Sequence, residues 1–348
     1  MRVPLTMLSV ALLVLAIVPG WSVEERLRLL GSRAQMDATR VALDPRDPGR
    51  RRVGGLVFLG GVSLTSRDPA FGGFSALSVD GDRFTLLSDG GNIVRFQMGA
   101  DWQPHALAFS NLPAGPRTGW DKRDRDSEAM AVDPATRRVW VAFENTNAIW
   151  RYDPAWTRGE AQARPAAIRK WSQNGGPESL ALMPDGRFVA ISESSHVPPR
   201  AWSGSKAMRL RTRDARMFFG DPTGRNVRQA RFAYVPAGRY DPADAAALPN
   251  GDLIVLDRDF ALPFRWSNRL SIVRAADVAA GKVARGRLIA TLAAPLIHDN
   301  FEGLAVTREG GDAILWLVSD DNQMAIQRSL LLKFRLALPR PTPKTRPR

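Results

Sequence analysis

The stretch Glu128-Ala-Met-Ala-Val132, Asp133-Pro-Ala-Thr136, Val139-Trp-Val-Ala-Phe143-Glu144 holds the key to the fold. An acid opens a short apolar run, a turn follows, and a second apolar run ends on an acid. The turn has a physical cause: Pro134 presets its own φ and Asp133 can accept hydrogen bonds from the amides that follow. Beyond Asn145-Thr-Asn147, the segment Ala148-Ile-Trp-Arg-Tyr152 alternates in polarity as a half-buried strand does. A fourth strand is expected around Ala166 to Trp171. Four short strands in a meander make one blade of a β-propeller.

The same phrase occurs four more times. Ser75-Ala-Leu-Ser-Val79 leads to Leu87-Ser88-Asp89, and Glu178-Ser-Leu-Ala-Leu182 leads to Ile191-Ser192-Glu193. Asp244-Ala-Ala-Ala-Leu248 leads to Leu256-Asp257, and Glu302-Gly-Leu-Ala-Val306 leads to Val318-Ser319-Asp320. The openers are spaced by 53, 50, 66 and 58 residues. Periods of that size mark solenoids, propellers or arrays. The expected fold is therefore all-β, a propeller of five four-stranded blades. Six is the alternative, should another blade hide in the long third and fourth repeats. The third repeat carries an insertion, Ser194 to Thr212. The fifth ends one strand short after Leu330 to Leu336. The unpartnered run Gly55-Leu-Val-Phe-Leu59 can supply that strand and close the ring, which removes two exposed edges.

Composition sets bounds on function. The chain has 348 residues and no cysteine, which excludes disulfides, thiolate metal sites and cysteine nucleophiles. The net charge is +14, but the arginines are scattered, without a basic helix or RNA-binding motif. No nucleic-acid partner is expected; an Arg-rich, Lys-poor genome is one reading of the charge and a small anionic substrate such as a phosphate ester is the other. Arg2 precedes an apolar stretch from Leu5 to Val18 and then Pro19-Gly20. Fourteen residues are short for a bilayer span, which takes about 20. Residues 1–20 thus read as a secretory signal, with an uncleaved anchor in the inner membrane as the alternative. A periplasmic or secreted location follows. Residues 21–52 are polar and read as a linker, 53–336 as the propeller, and 337–348 as a disordered basic, Pro-rich tail.

The inner strand of each blade lines the central channel of a propeller. Glu128, Glu178, Asp244 and Glu302, with Ser75, open their repeats at one place and should converge. Like charges in a confined space need a counter-charge, and a bound Ca²⁺ with its oxygen ligands is the economical one. Those four acids are the candidate metal ligands. The alternative for each acid is a backbone amide of the next blade or an arginine. Asp89, Glu144, Glu193, Asp257, Asp259, Asp320 and Asp321 form a second acidic set, expected at the opposite strand end. The spaced acids of Asp121-Lys-Arg-Asp124-Arg-Asp126-Ser-Glu128 lack the glycine of an EF-hand loop and read as solvated. Of three histidines, His105 sits in an outer strand. His196 follows the inner strands of the third repeat and His298 precedes that of the fifth. These two are the candidate general acid or base residues. No GxSxG, GxGxxG or Walker sequence is present.

Phe71-Gly-Gly-Phe-Ser75-Ala-Leu, Asp126-Ser-Glu128-Ala-Met-Ala, Gly176-Pro-Glu178-Ser-Leu-Ala and Asn300-Phe-Glu302-Gly-Leu-Ala resemble the phytase-like domain family. That family is also described by its esterase-like activity of phytase. The resemblance covers about residues 53–336. It implies an exported bacterial β-propeller that hydrolyses esters or phosphoesters with calcium. A non-catalytic propeller that binds a periplasmic ligand or protein is the second reading, and a lactonase-like propeller using the same acids is an enzymatic variant of the first.

Overall fold

The computed structural model describes residues 26–262 and 265–338. Their strands form five separate sheets. Blade I comprises Phe74–Asp80, Arg83–Ser88, Asn92–Met98 and Pro104–Asn111. Blade II comprises Ser127–Val132, Val139–Phe143, Ala148–Tyr152 and Gly159–Ala163. Blade III comprises Pro177–Leu182, Phe188–Ser192, Arg213–Phe218 and Gln229–Val235, with Val283–Arg285 added in parallel at its edge. Blade IV comprises Asp241–Ala247, Leu253–Ala261, Arg265–Val273 and Arg287–Leu292. Blade V comprises Asn300–Glu309, Asp312–Asp320 and Ser329–Leu336, completed by Leu56–Thr65.

The first strand of each blade packs against the first strand of the next, and that of blade V against that of blade I, so the ring closes at five. The core is divided accordingly into five clusters, one at each blade interface. Leu77 and Phe84 of blade I meet Ile314 and Trp316 of blade V, and Trp140 of blade II meets Phe188 and Phe218 of blade III. The other three clusters join I to II, III to IV and IV to V. Covered on both faces, a second strand such as Val139–Phe143 is buried along its whole length. It therefore reads as a continuous apolar run and not as an alternation. Large side chains such as Phe301 and Phe334 are fully enclosed at these interfaces, each contributing roughly 1.5–3 kcal/mol by burial.

Closure follows the expected route. Ser329–Leu336 pairs antiparallel with Leu56–Thr65, Ser329 opposite Leu64 and Leu336 opposite Leu56. Two boundaries need correction. Asp37–Arg40, placed in the linker by its polarity, is a strand that pairs with the outer side of Leu56–Thr65. Leu30, Met36 and Leu43 are buried beside it, so the folded unit begins before Val53. An edge strand needs backbone partners and few apolar side chains, and polarity alone hid it. The outer strand of blade II is Gly159–Ala163 and not Ala166 to Trp171. Pro165 starts a turn there, and it sends Ile168 and Trp171 into the interface between blades II and III. The expected signal or anchor at 1–20, and all but the first two residues of the expected tail, lie outside the described residues. Among the described residues no helix is long and apolar enough to cross a membrane.

Candidate functional site

All five blades share one irregularity. The register between the first and second strands slips by one residue, at Ser75, Glu128, Glu178, Ala243 and Glu302. A bulged residue has no direct cross-strand partner, and the slip re-aims its side chain. Three of the four expected ligands, Glu128, Glu178 and Glu302, occupy this slot. Asp244 does not. It lies one residue further, in line with Ala76, Ala129, Ser179 and Gly303. A one-residue offset along a strand sends the side chain to the other face. Asp244 is buried, and its carboxylate accepts from its neighbour Ala245 N at 2.7 Å and from Leu304 N of blade V at 2.8 Å. It serves as a strap between blades. The close approach there is real: a Cβ on Gly303 would stand 2.6 Å from Val318 Cγ1 and 3.2 Å from Ala76 Cα of blade I.

Antiparallel pairing places the end of each second strand beside the start of the first. Asp89, Glu144, Glu193 and Asp320 therefore join the first row at the same end of the channel, and not at the opposite end. Asp126 enters from the loop before blade II, held in the left-handed region at φ 32°, a backbone state that Asp adopts more readily than most residues with a side chain. Two other acids of that loop are structural. Asp121 caps the short turn Lys122–Asp124, and the buried Asp124 carboxylate accepts from Thr118 and Trp120.

The acids divide into two groups that share one residue. One oxygen from each of Asp126, Glu128 and Glu144 lies within 4.8 Å of the others, and the same holds for Glu144, Glu178 and Glu193. Glu144 belongs to both, and it is fixed by the amides of Gly175 and Gly176. Asn145 donates to Asp126. Among the described residues no hydrogen bond or ion pair reaches the Glu128 carboxylate. Desolvation, reinforced by neighbouring carboxylates, pushes Glu128 and Glu178 well above the usual carboxylate range and Asp126 up to about 8. Asp320 is pushed up to about 7 by burial and by the charge of Asp89. Burial is the larger cause in each, and the charge of the neighbouring carboxylates adds to it. The donors are all oxygens, a set that suits a hard cation, and these clusters could hold a metal ion.

Cations already meet part of the ring. Lys122 Nζ lies 2.5 Å from Asp89. Arg258, where the other blades have an acid, reaches Glu193 at 2.9 Å and Glu178 at 4.0 Å, and it donates to Glu302. Glu302 also accepts from Asn300 at 2.8 Å. Both candidate histidines lie in loops at this end of the ring. His196 Nδ1 is 2.7 Å from the Thr212 carbonyl, and His298 Nδ1 is 2.7 Å from the Leu296 carbonyl. A carbonyl can only accept, so Nδ1 carries a proton in each. Neither belongs to the acidic groups. Asp126 stands outside the repeated phrase and Arg258 breaks its acidic pattern, so neither shows in the repeat of acids. Matching Asp257-Arg258 with Ser192-Glu193 and Ser319-Asp320 would have exposed the latter.

A cavity of about 720 Å³ opens at the other end of the inner strands, among Leu77, Met130, Leu180, Ala245, Leu304 and Arg308. It contains none of these acids.

Several solved structures are similar in outline. A luciferin-regenerating enzyme shares 12% identity and a TM-score of 0.41 over 85% of this chain and 95% of that one. A chain of a nidogen/laminin complex shares 11% at a TM-score of 0.40, over 85% and 93%. The Cps50 (Swd1) propeller of Myceliophteria thermophila shares 13% at 0.35, over 80% and 74%. The curated proteins contain no match to the chain. The family model described as esterase-like activity of phytase matches residues 69–323, most of the chain and every blade, and the protein belongs to the phytase-like family.

Proposed function

We propose that this protein is an exported hydrolase of phosphate or carboxylic esters, assisted by calcium at the acidic end of the channel. The observation that carries the reading is the pair of oxygen-only groups joined through Glu144, with Glu128 unpaired. A bound divalent cation supplies charge to polarise an ester oxygen and to acidify a water. Glu128, Glu144, Asp126 and Glu178 would hold it. His196 or His298 would take the proton on Nε2, and arginines around the rim would hold an anionic substrate. The apolar run at residues 5–18 supports a periplasmic or secreted place, with an inner-membrane tether as its variant.

The test is hydrolysis of an aryl phosphate and an aryl carboxylic ester by the mature protein, with calcium and with chelator. Calcium-dependent turnover that disappears in Glu144→Gln and falls in Glu178→Gln is the expected result. No turnover of either ester, together with no calcium-dependent change in melting temperature, sinks the reading. That outcome favours the second one, a binding propeller, for which the cavity lined by Leu77, Met130 and Leu180 offers the place.

A further inference from the structure

Blade IV departs from the other four at both positions that build the acidic ring. At the slipped position it has Ala243, where three other blades have Glu and blade I has Ser75. At the matching position of the second strand, which in blade IV runs on to Ala261, it has Arg258, where the others have Asp89, Glu144, Glu193 and Asp320. One blade thus withdraws a carboxylate and adds a fixed positive charge at the same level of the channel. Arg258 does not point away to solvent. Its guanidinium meets Glu178 and Glu193 of blade III and Glu302 of blade V, and Asn300 Oδ1 accepts from it at 3.2 Å. Its side chain is 18% exposed. These oxygens of carboxylate and amide type are what a hard cation would otherwise collect.

We infer that Arg258 is a built-in counter-ion that stands where a divalent cation would sit between blades III and V, and that it confines metal binding to the acids of blades II and III. The inference rests on the reading of the ring as a cation site, and it adds a residue that sets where and how many ions bind. A guanidinium carries one charge that cannot be titrated away near neutral pH and cannot be removed by chelator. The sector from Glu193 to Glu302 therefore carries a permanent counter-charge. The sector from Asp126 to Glu178 feels the charges of Lys122 and Arg258 only in part and is left to an ion from solution for the rest. Glu178 and Glu193 face both sectors, so Arg258 also limits how strongly they can serve an ion on the blade II side.

The experiment counts calcium sites by calorimetric titration of the chelator-treated full chain, with terbium luminescence as a second readout. The wild-type protein, Arg258→Gln, Arg258→Lys and Glu302→Gln are compared. Arg258→Gln is expected to bind one more calcium per chain than wild type. Arg258→Lys, which keeps the charge, should match wild type. Glu302→Gln should also match it, because Glu302 is already engaged by Arg258. An unchanged count in folded Arg258→Gln overturns the inference. So does a lost site in Glu302→Gln, a measurement that decides the matter even where Arg258→Gln fails to fold. The parent reading fails separately: a wild type that binds no calcium beside an Arg258→Gln protein that binds one removes the native site and leaves the role of Arg258 standing.

Discussion

Blades III and IV stand side by side and repeat the same strand order, yet they meet the channel with opposite charge. Blade III brings Glu178 and Glu193 to it; blade IV brings Ala243 and Arg258. The main-chain slip is common to both, so the backbone does not make the difference. Two side chains do. A repeated scaffold can thus hold one geometric slot in every blade while the chemistry in that slot is set blade by blade.

The largest expected effect comes from Arg258→Ala in chelator. It leaves Glu178, Glu193 and Glu302 without their counter-charge, and stripping one partner from a buried pair costs about 3–5 kcal/mol. Chemical denaturation measures this, and millimolar calcium should recover part of the loss. A loss under 1 kcal/mol would mean that the pairs are solvated. Next is Glu144→Gln, which touches both acidic groups. A cation present at a hundred times its dissociation constant stabilises by about 2.7 kcal/mol, and thermal melts should show that gain vanish. A gain that survives in this variant places the ion elsewhere. Asp244→Asn should behave differently from the ring acids. It leaves Leu304 N or Ala245 N without an acceptor, for a loss of about 1–3 kcal/mol, while the calcium gain stays intact.

The smallest effect is a pH trend. Asp257, shielded by burial beneath Tyr234, and Asp320 are both pushed up to about 7, and Asp126 to about 8, from an ordinary 3.8. Each holds a proton in the folded chain that the unfolded chain releases. Their contribution to stability is complete below the ordinary value and is lost as pH rises through 7 to 8. In chelator the melting temperature should fall from pH 5 to pH 8. With calcium the fall should be shallower, because the ion favours the ionised carboxylates. A flat profile in chelator would show that these acids are ionised throughout.

Much of this was legible in the chain. Repeats such as Glu128 to Glu144 carry their own turn chemistry, and the unpaired Leu56–Leu59 run announces closure because an apolar strand must find a partner. Glu128, Glu178 and Glu302 were legible because each follows Ser127, Pro177 or Phe301 in a common frame. Asp244 was misplaced because the frame of blade IV is Pro242-Ala243-Asp244, and an acid one residue late looks alike in a string but faces the other way in a strand. Arg258 was missed because a search for acids passes over the position where the acid is absent. Asp37–Arg40 was missed because pairing at an outer edge asks for backbone groups and not for apolar side chains.

The sequence by itself determined the all-β repeat and the acidic character of the ring, since these depend on local runs, turns and their period, while the closed count of five blades in place of six came from the packing of first strands. Only the tertiary structure decided that both acidic rows share one end of the channel, that Glu144 joins two groups, and that Arg258 closes one sector. Those facts depend on a one-residue slip in register and on contacts between blades 44 to 80 residues apart in the chain, from Arg258 to Glu178 and Glu302, where direction and distance replace composition as the governing quantities.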